Sequence, residues 1–274
     1  MLIDIDSLFE KYVKKFMKEN AGKYNEEQWE GKMVELYEAF GNIPLTQLGT
    51  TPIEYYKNMT GVELKELLNQ HIEKKVSVPD FLCDAIVNKK CEDELISLLK
   101  NNNEELKAYT VNLLNDMGSV KPLSMYFDLL KDNNLNADLK ELITEILTDN
   151  CEVESIKERA ITEYSKYPQI KEYLIEILSR CKKDDRIYKI LIEEFIKNPE
   201  NIPLYASYIS VYGDERALPI LFEEIEREGV SYIDFQELKF AIEALGGEYE
   251  KERNFSNDIY YKKIKQEDLN NEMN

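Results

Sequence analysis

Five segments carry one pattern: LKAYTVNLLNDM at 106–117, LKELITEILTDN at 139–150, IKEYLIEILSRC at 170–181, NIPLYASYISVY at 201–212 and DFQELKFAIEAL at 234–245. Their last residues, Met117, Asn150, Cys181, Tyr212 and Leu245, stand 33, 31, 31 and 33 positions apart. A period held this closely marks stacked supersecondary units, each unable to bury its apolar face alone. The fourth- and third-from-last positions are Leu113/Leu114, Ile146/Leu147, Ile177/Leu178, Tyr208/Ile209 and Ala241/Ile242. Three residues earlier lie Thr110, Ile143, Leu174, Tyr205 and Leu238. Spacing of i, i+3 and i+4 puts these on one helical face, so each segment reads as an amphipathic helix. Burying each aliphatic member contributes roughly 1.5–3 kcal/mol, and the column reads as a core shared by neighbouring repeats.

A second apolar stripe precedes each segment, at 91–100, 120–131, 152–165, 184–197 and 215–227. Turn chemistry separates the two: Asn101–Asn103, Asp132–Asn134, Pro168, Pro199 and Gly229. Gly118, Gly213 and the Gly246–Gly247 pair fall just past helix ends, where glycine takes the left-handed conformation readily. Asp234 and Glu237 have capping-box spacing, which places a helix start there. The expectation is an all-α chain with five helix pairs across 91–247, a helical N-terminal region or cap over 1–90, and a polar tail over 248–274.

Tyr212-Gly-Asp-Glu-Arg-Ala-Leu-Pro-Ile-Leu221 followed by Ala241-Ile-Glu-Ala-Leu-Gly246 resembles the short HEAT repeats of the phycobilisome-lyase type. Those carry G-D-x-R-A-V-P-x-L on the first helix and A-x-x-A-L-G on the second. Met117-Gly-Ser-Val-Lys-Pro-Leu123 is a weaker copy, and the 152–181 pair has neither the Gly-Asp nor the Pro. The resemblance covers about 155 residues and implies a right-handed α-α superhelix used as a binding scaffold. It does not imply lyase activity, because fold does not fix function.

Outside the repeat, Ile5, Leu8, Phe9, Tyr12, Val13, Phe16 and Met17 form a helical stripe expected to pack onto the first repeats. Asp4, Asp6 and Glu10 argue against an anionic lipid surface for it. A helix over 26–40 holds Trp29, 42–52 reads as a loop, and Thr60 with Glu63 opens a helix to about Lys74. Pro79 opens another, expected as half of a sixth, degenerate repeat. Phe255, Ile259, Tyr260 and Ile264 are expected to pack a short final helix over the open end, with 267–274 disordered.

Composition narrows the function. Thirty-five basic against 54 acidic residues give a net charge of −19, which opposes general nucleic-acid binding, since that draws on Lys and Arg neutralising phosphate. No apolar run approaches the roughly 18–20 residues that cross a bilayer, and the N-terminus lacks a signal-peptide pattern, so cytoplasmic residence is the expectation. Cys83, Cys91, Cys151 and Cys181 form no C-x-x-C pair. They are expected as buried free thiols rather than metal ligands. The only histidine, His71, is expected to be exposed on its helix. There is no G-x-S-x-G elbow, P-loop or G-x-G-x-x-G. Acid pairs such as Glu223/Glu226 and Asp184/Asp185 are expected to be solvated.

The remaining candidate is a face of the second helices. Beside the core column they carry Tyr109/Asn112/Asp116, Leu142/Glu145/Asp149, Tyr173/Glu176/Arg180, Leu204/Ser207/Val211 and Glu237/Phe240/Ala244. Of these, Tyr109, Asn112, Asp116, Glu145, Tyr173, Glu176, Arg180 and Phe240 are the expected partner contacts. Aromatics interleaved with acids suit a basic, partly apolar peptide or protein, or else complete packing within the stack. The expectation is a non-enzymatic scaffold with a protein partner, no cofactor, no metal, no nucleic acid and no membrane. The alternatives are a HEAT-like enzyme or ligand carrier, lyase-like or glycosylase-like, and a purely structural oligomerisation unit.

Overall fold

The computed structural model describes residues 2–272, with side-chain environments through residue 266. Among these the chain is all α-helical, with one isolated antiparallel bridge, Leu45 to Thr50, inside the 42–52 loop. Among the described residues no helix is long and apolar enough to cross a membrane. The chain divides into two compact units, 1–122 and 123–274. The first of the five expected helix pairs falls in the first unit and the other four in the second.

In the first unit, α1 (Ile5–Glu19) starts where Asp4 accepts the Ser7 amide at 2.9 Å. Its stripe packs on α2 (Glu26–Gly41), Phe9 meeting Tyr37 edge-on at 4.9 Å and Tyr12 meeting Phe40 at 5.5 Å. A short α3 (Pro52–Lys57), capped by Thr51, follows the loop. The capping box expected from Thr60 and Glu63 is present at the start of α4 (Gly61–Glu73), and α5 (Asp80–Lys89) follows Pro79. The unit closes with α6 (Glu92–Leu98) and α7 (Glu104–Asp116). Helices α4 and α5 pack on each other, α4 touches α6, and α5 touches α7. These four helices therefore share one core, whose fully buried members include Leu64, Leu68, Leu82, Ile86, Leu95 and Leu106. The partner of α5 in that arrangement is α4. Gly61 lets α4 come close to α6, because a Cβ there would sit 2.8 Å from Glu94 Oε1 and 3.1 Å from Cys91 Sγ.

In the second unit the first helices are α8 (Leu123–Leu130), α10 (Glu154–Tyr164), α12 (Asp185–Lys197) and α14 (Leu218–Ile225). The second helices are α9 (Ala137–Asp149), α11 (Lys171–Ser179), α13 (Ile202–Tyr212) and α15 (Tyr232–Ala244). Each second helix packs on the first helix before it, and α9, α11, α13 and α15 pack on one another in succession. The column read from the period is the core: Ile143, Leu174, Tyr205 and Leu238 are buried, as are Ile146, Leu147, Ile177, Leu178, Ile209, Ala241 and Ile242. Tyr208 departs from it and is half-buried. Gly213 and Gly246 take the left-handed conformation, φ 72° and 81°, at the ends of α13 and α15.

Two local expectations are corrected. Helix α15 begins at Tyr232, and its cap is Ser231, whose hydroxyl accepts from the Asp234 amide at 3.2 Å. Asp234 thus occupies the third helical position, and a serine hydroxyl, short enough to reach back to that amide, does the capping. The final helix, α16 (Ile259–Glu272), leaves Ile259, Tyr260 and Ile264 exposed. Phe255 and Tyr261 close this end instead, each meeting Tyr232 within about 5.3 Å. The expected disorder over 267–274 concerns residues whose side chains, and for 273–274 the backbone, lie outside the described residues.

Candidate functional site

Four adjacent second helices present the expected contacts of the second unit. On α9, Leu142 is half-buried while Glu145 and Asp149 are exposed; on α11, Tyr173 and Glu176 are half-buried and Arg180 is exposed. On α13, Leu204 and Val211 are 40% and 47% exposed, and on α15 Phe240 is 62% exposed. Large apolar side chains held this far in water by a folded helix are the informative kind of surface residue when they cluster. Glu145, Tyr173, Glu176, Arg180 and Phe240 are thus brought onto neighbouring helices. Tyr109, Asn112 and Asp116 stand on α7 of the first unit, with Asn112 and Asp116 exposed. Tyr109 is half-buried, and its phenol is raised by that burial and by Cys83 and Glu105.

The acids on α9 and α11 form a two-by-two array. Glu141 and Glu145 are one turn apart, and Glu172 and Glu176 repeat them one period of 31 later. Burial holds the Glu176 carboxyl above the usual carboxylate range, Arg180 pulls against that, and Glu141 and Glu145 add repulsion. Tyr173, between them, is raised by burial and then by Glu141 and Glu172. Tyr208 on α13 is pushed up to about 12 by burial, then by Glu176 and Glu172. None of the four carboxylates forms an ion pair among the described residues. The period of 31 relating Glu141 to Glu172 was the signal that could have added both to the expected contacts.

The first helices use their acids in the opposite way. Asp128 on α8 takes Arg159 of α10 at 2.7 Å, Glu158 on α10 takes Arg186 of α12 at 2.9 Å, and Asp185 on α12 takes Arg216 at 2.8 Å. Each step of this ladder spans one repeat. The expectation that Asp184 is merely solvated is corrected here. It caps α12, accepting the Arg186 amide at 2.8 Å, and the Arg186 guanidinium holds its carboxyl down at about 2. Glu226 is exposed as expected, and it also accepts from the Tyr249 hydroxyl at 3.0 Å and pairs with Lys251. Deeper still, Glu163 on α10 is buried and paired with Arg159 at 2.8 Å and Lys131 at 3.2 Å.

The reactive residue types are otherwise occupied. His71 is 1% exposed, which corrects the expectation of a solvated ring: its Nδ1–H donates to the Ser77 carbonyl at 2.6 Å, satisfying the loop that follows α4. Cys91 and Cys181 are buried, Cys83 and Cys151 half-buried, and all four are free thiols. Burial pushes the Cys83 and Cys181 thiols up to about 12, far from the thiolate that reacts or ligates. Among the described residues no group of three His, Cys, Asp or Glu side chains is gathered as metal ligands would be. No family model, curated protein or solved structure matches the chain.

Proposed function

We propose that the second unit is a HEAT-like helical-repeat scaffold that binds a basic, partly apolar segment of another protein on the face of its second helices. The observation that carries this reading is the unpaired array of Glu141, Glu145, Glu172 and Glu176 around Tyr173, with exposed Leu204 and Val211 on the adjoining α13 and Phe240 on α15, which packs on α13 in turn. Like charges left facing one another weaken the free protein, and a cationic partner relieves them, so complementarity sets both recognition and encounter rate. The aromatic and aliphatic side chains supply the anchors that charge alone does not. Successive packing of α9, α11, α13 and α15 together with the 31–33-residue period supports the HEAT-like reading.

The test uses the full chain and a fluorescent amphipathic peptide with leucines on one helical face and lysines on the other. Saturable binding is expected, weakening as salt rises, with no binding of the matching Glu/Leu peptide. Charge reversal in the Glu145→Lys, Glu176→Lys double variant should reduce affinity at least about tenfold, equivalent to about 1.4 kcal/mol. Phe240→Ala should reduce it by a further measurable factor. Equal binding of both peptides, or unchanged affinity in the double variant, overturns the reading. A concentration-dependent mass abolished by Phe240→Ala would instead assign this face to self-association.

A further inference from the structure

A cleft of about 810 Å³ lies in the first unit between α2, α3 and α5, independent of the face just described. Its volume falls in the range of ligand-sized sites, roughly 300–1,000 Å³. The floor is built by a close approach. Gly41 has no Cβ, and one placed there would sit 2.7 Å from the Phe81 ring and 2.9 Å from Ile53 Cδ1. Tyr37, one turn earlier on α2, stacks its ring on Phe81 at 4.3 Å with the planes 3° apart. Ile53 keeps 38% of its surface in solvent at this floor.

The walls repeat one pattern. On α2 an acid, Glu38, precedes an amide, Asn42, by four residues, and on α5 Asp84 precedes Asn88 by four. Both pairs line the cleft. Neither carboxylate has an ion-pair or hydrogen-bond partner among the described residues. Both side chains are exposed, and partial desolvation followed by repulsion from Asp80 raises the Asp84 carboxyl. Two cations also line the site. Lys57 is drawn 3.7 Å from Glu54 on its own helix, and Lys89 stands in the last turn of α5.

We propose that this cleft receives an arginine side chain carried by an apolar peptide segment, the guanidinium between Glu38 and Asp84 and its stem over Phe81 and Ile53. A guanidinium is planar, weakly hydrated and able to bond two carboxylates while lying against aromatic surface, which a compact ammonium does less well. The Asn88 amide offers a donor and an acceptor to the backbone of such a segment, and Asn42, whose Nδ2 donates to the Glu38 carbonyl at 2.9 Å, offers its Oδ1 as an acceptor.

The experiment is a titration of the full-length 15N-labelled protein with acetyl-Leu-Arg-Leu-amide, the same peptide with citrulline in place of arginine, and free arginine. Amide signals of Asn42, Ile53 and Asn88 should move with the arginine peptide, and the citrulline peptide should bind about tenfold more weakly, the loss of one charge-assisted contact. Asp84→Asn should give a similar loss with an unchanged melting profile, and Lys57→Gln, which removes a cation, should bind at least as tightly as the parent. The Glu145→Lys, Glu176→Lys variant of the second unit should leave these shifts untouched. Equal binding of the citrulline peptide, shifts away from the cleft, or an unaltered Asp84→Asn would overturn the proposal. Free arginine binding as tightly as the peptide would also overturn it, assigning the cleft to a small cation instead.

Discussion

Removing the Glu194 carboxylate should be among the most damaging polar changes in the second unit. Glu194 lies on α12 with 5% of its surface exposed. Its carboxylate accepts from the Tyr164 hydroxyl, from Lys171 Nζ at 2.9 Å and from Asn198 Nδ2 at 3.3 Å. Burial alone would raise this carboxyl; the bonds from Tyr164 and Lys171 outweigh it and leave the group lowered. Truncation to alanine strands a tyrosine hydroxyl and an ammonium at once. Breaking a buried pair costs about 3–5 kcal/mol. Lys171 keeps 33% of its side chain in water, which points to the lower end, about 3 kcal/mol. For a unit of about 150 residues this is a fall in Tm of about 6–12 °C. Glu194→Gln retains an acceptor for Tyr164 and should cost about 1–2 kcal/mol. Replacing both partners, Glu194→Met with Lys171→Met, should recover most of the loss, because neither charge is then stranded. Thermal unfolding followed by far-ultraviolet circular dichroism measures all three variants. The reasoning is refuted if Glu194→Ala melts within about 2 °C of the parent, or if glutamine is as harmful as alanine.

Four further outcomes rest on other residues. Asp184 has its carboxyl lowered from 3.8 to about 2 by Arg186, so its contribution is full above pH 4 and is lost as pH falls through 2. Urea midpoints from pH 5 to pH 2 should therefore decline less steeply in Asp184→Asn, which keeps a capping side chain. Gly247→Ala should cost about 1–3 kcal/mol by overpacking, because the new Cβ meets Ile242 Cγ2 at 2.8 Å and Leu218 Cδ2 at 2.9 Å. Gly118→Ala, at φ 64° with open space around it, should cost about 1–2 kcal/mol through the backbone alone, and chemical denaturation of the two variants checks both. Glu176→Gln should stabilise the free protein by about 0.5 kcal/mol at neutral pH, since a raised carboxyl is one whose charge the fold disfavours; a destabilised variant would contradict the repulsive array.

What could be read in advance was whatever a single helix decides for itself. Leu174 and Leu238 had to be buried because each sits at the centre of an i, i+3, i+4 apolar set, and both are 0% exposed. The Thr60–Glu63 box could be read because its two hydrogen bonds close within four residues. His71 could not. Its partner is a backbone carbonyl six residues on, past the end of α4, and a carbonyl leaves no mark on a sequence. Similarly, no local pattern brings Gly41, Ile53 and Phe81 together, because the cleft exists only where three separate helices meet. Helix α3 escaped notice for a related reason: at six residues it is too short to display a period. Among the site residues, Phe240 could be placed on its helix but its exposure could not, since a wide apolar stripe and an open binding face look identical along one chain.

The distribution of charge, more than its total, separates the two sides of the second unit. A net charge of −19 would allow acids anywhere on the surface. On the first helices, Arg159, Arg186 and Arg216 each bridge back one repeat, so acids there contribute to stacking. On α9 and α11 the same period carries Glu141, Glu145, Glu172 and Glu176 with Arg180 as the cation acting on Glu176. An arrangement selected for stability alone would pair these acids as the first helices do, by placing lysine or arginine one repeat away. Left unpaired beside half-buried Tyr173 and Tyr208, they cost the free protein a little, and under the proposed function a cationic partner would relieve that cost. Because a ligand stabilises the state it binds by its free energy of association, a partner that neutralises the array returns that cost as affinity. The same substitutions should therefore move stability and binding in opposite directions on the second helices, and leave binding untouched when made in the ladder of the first.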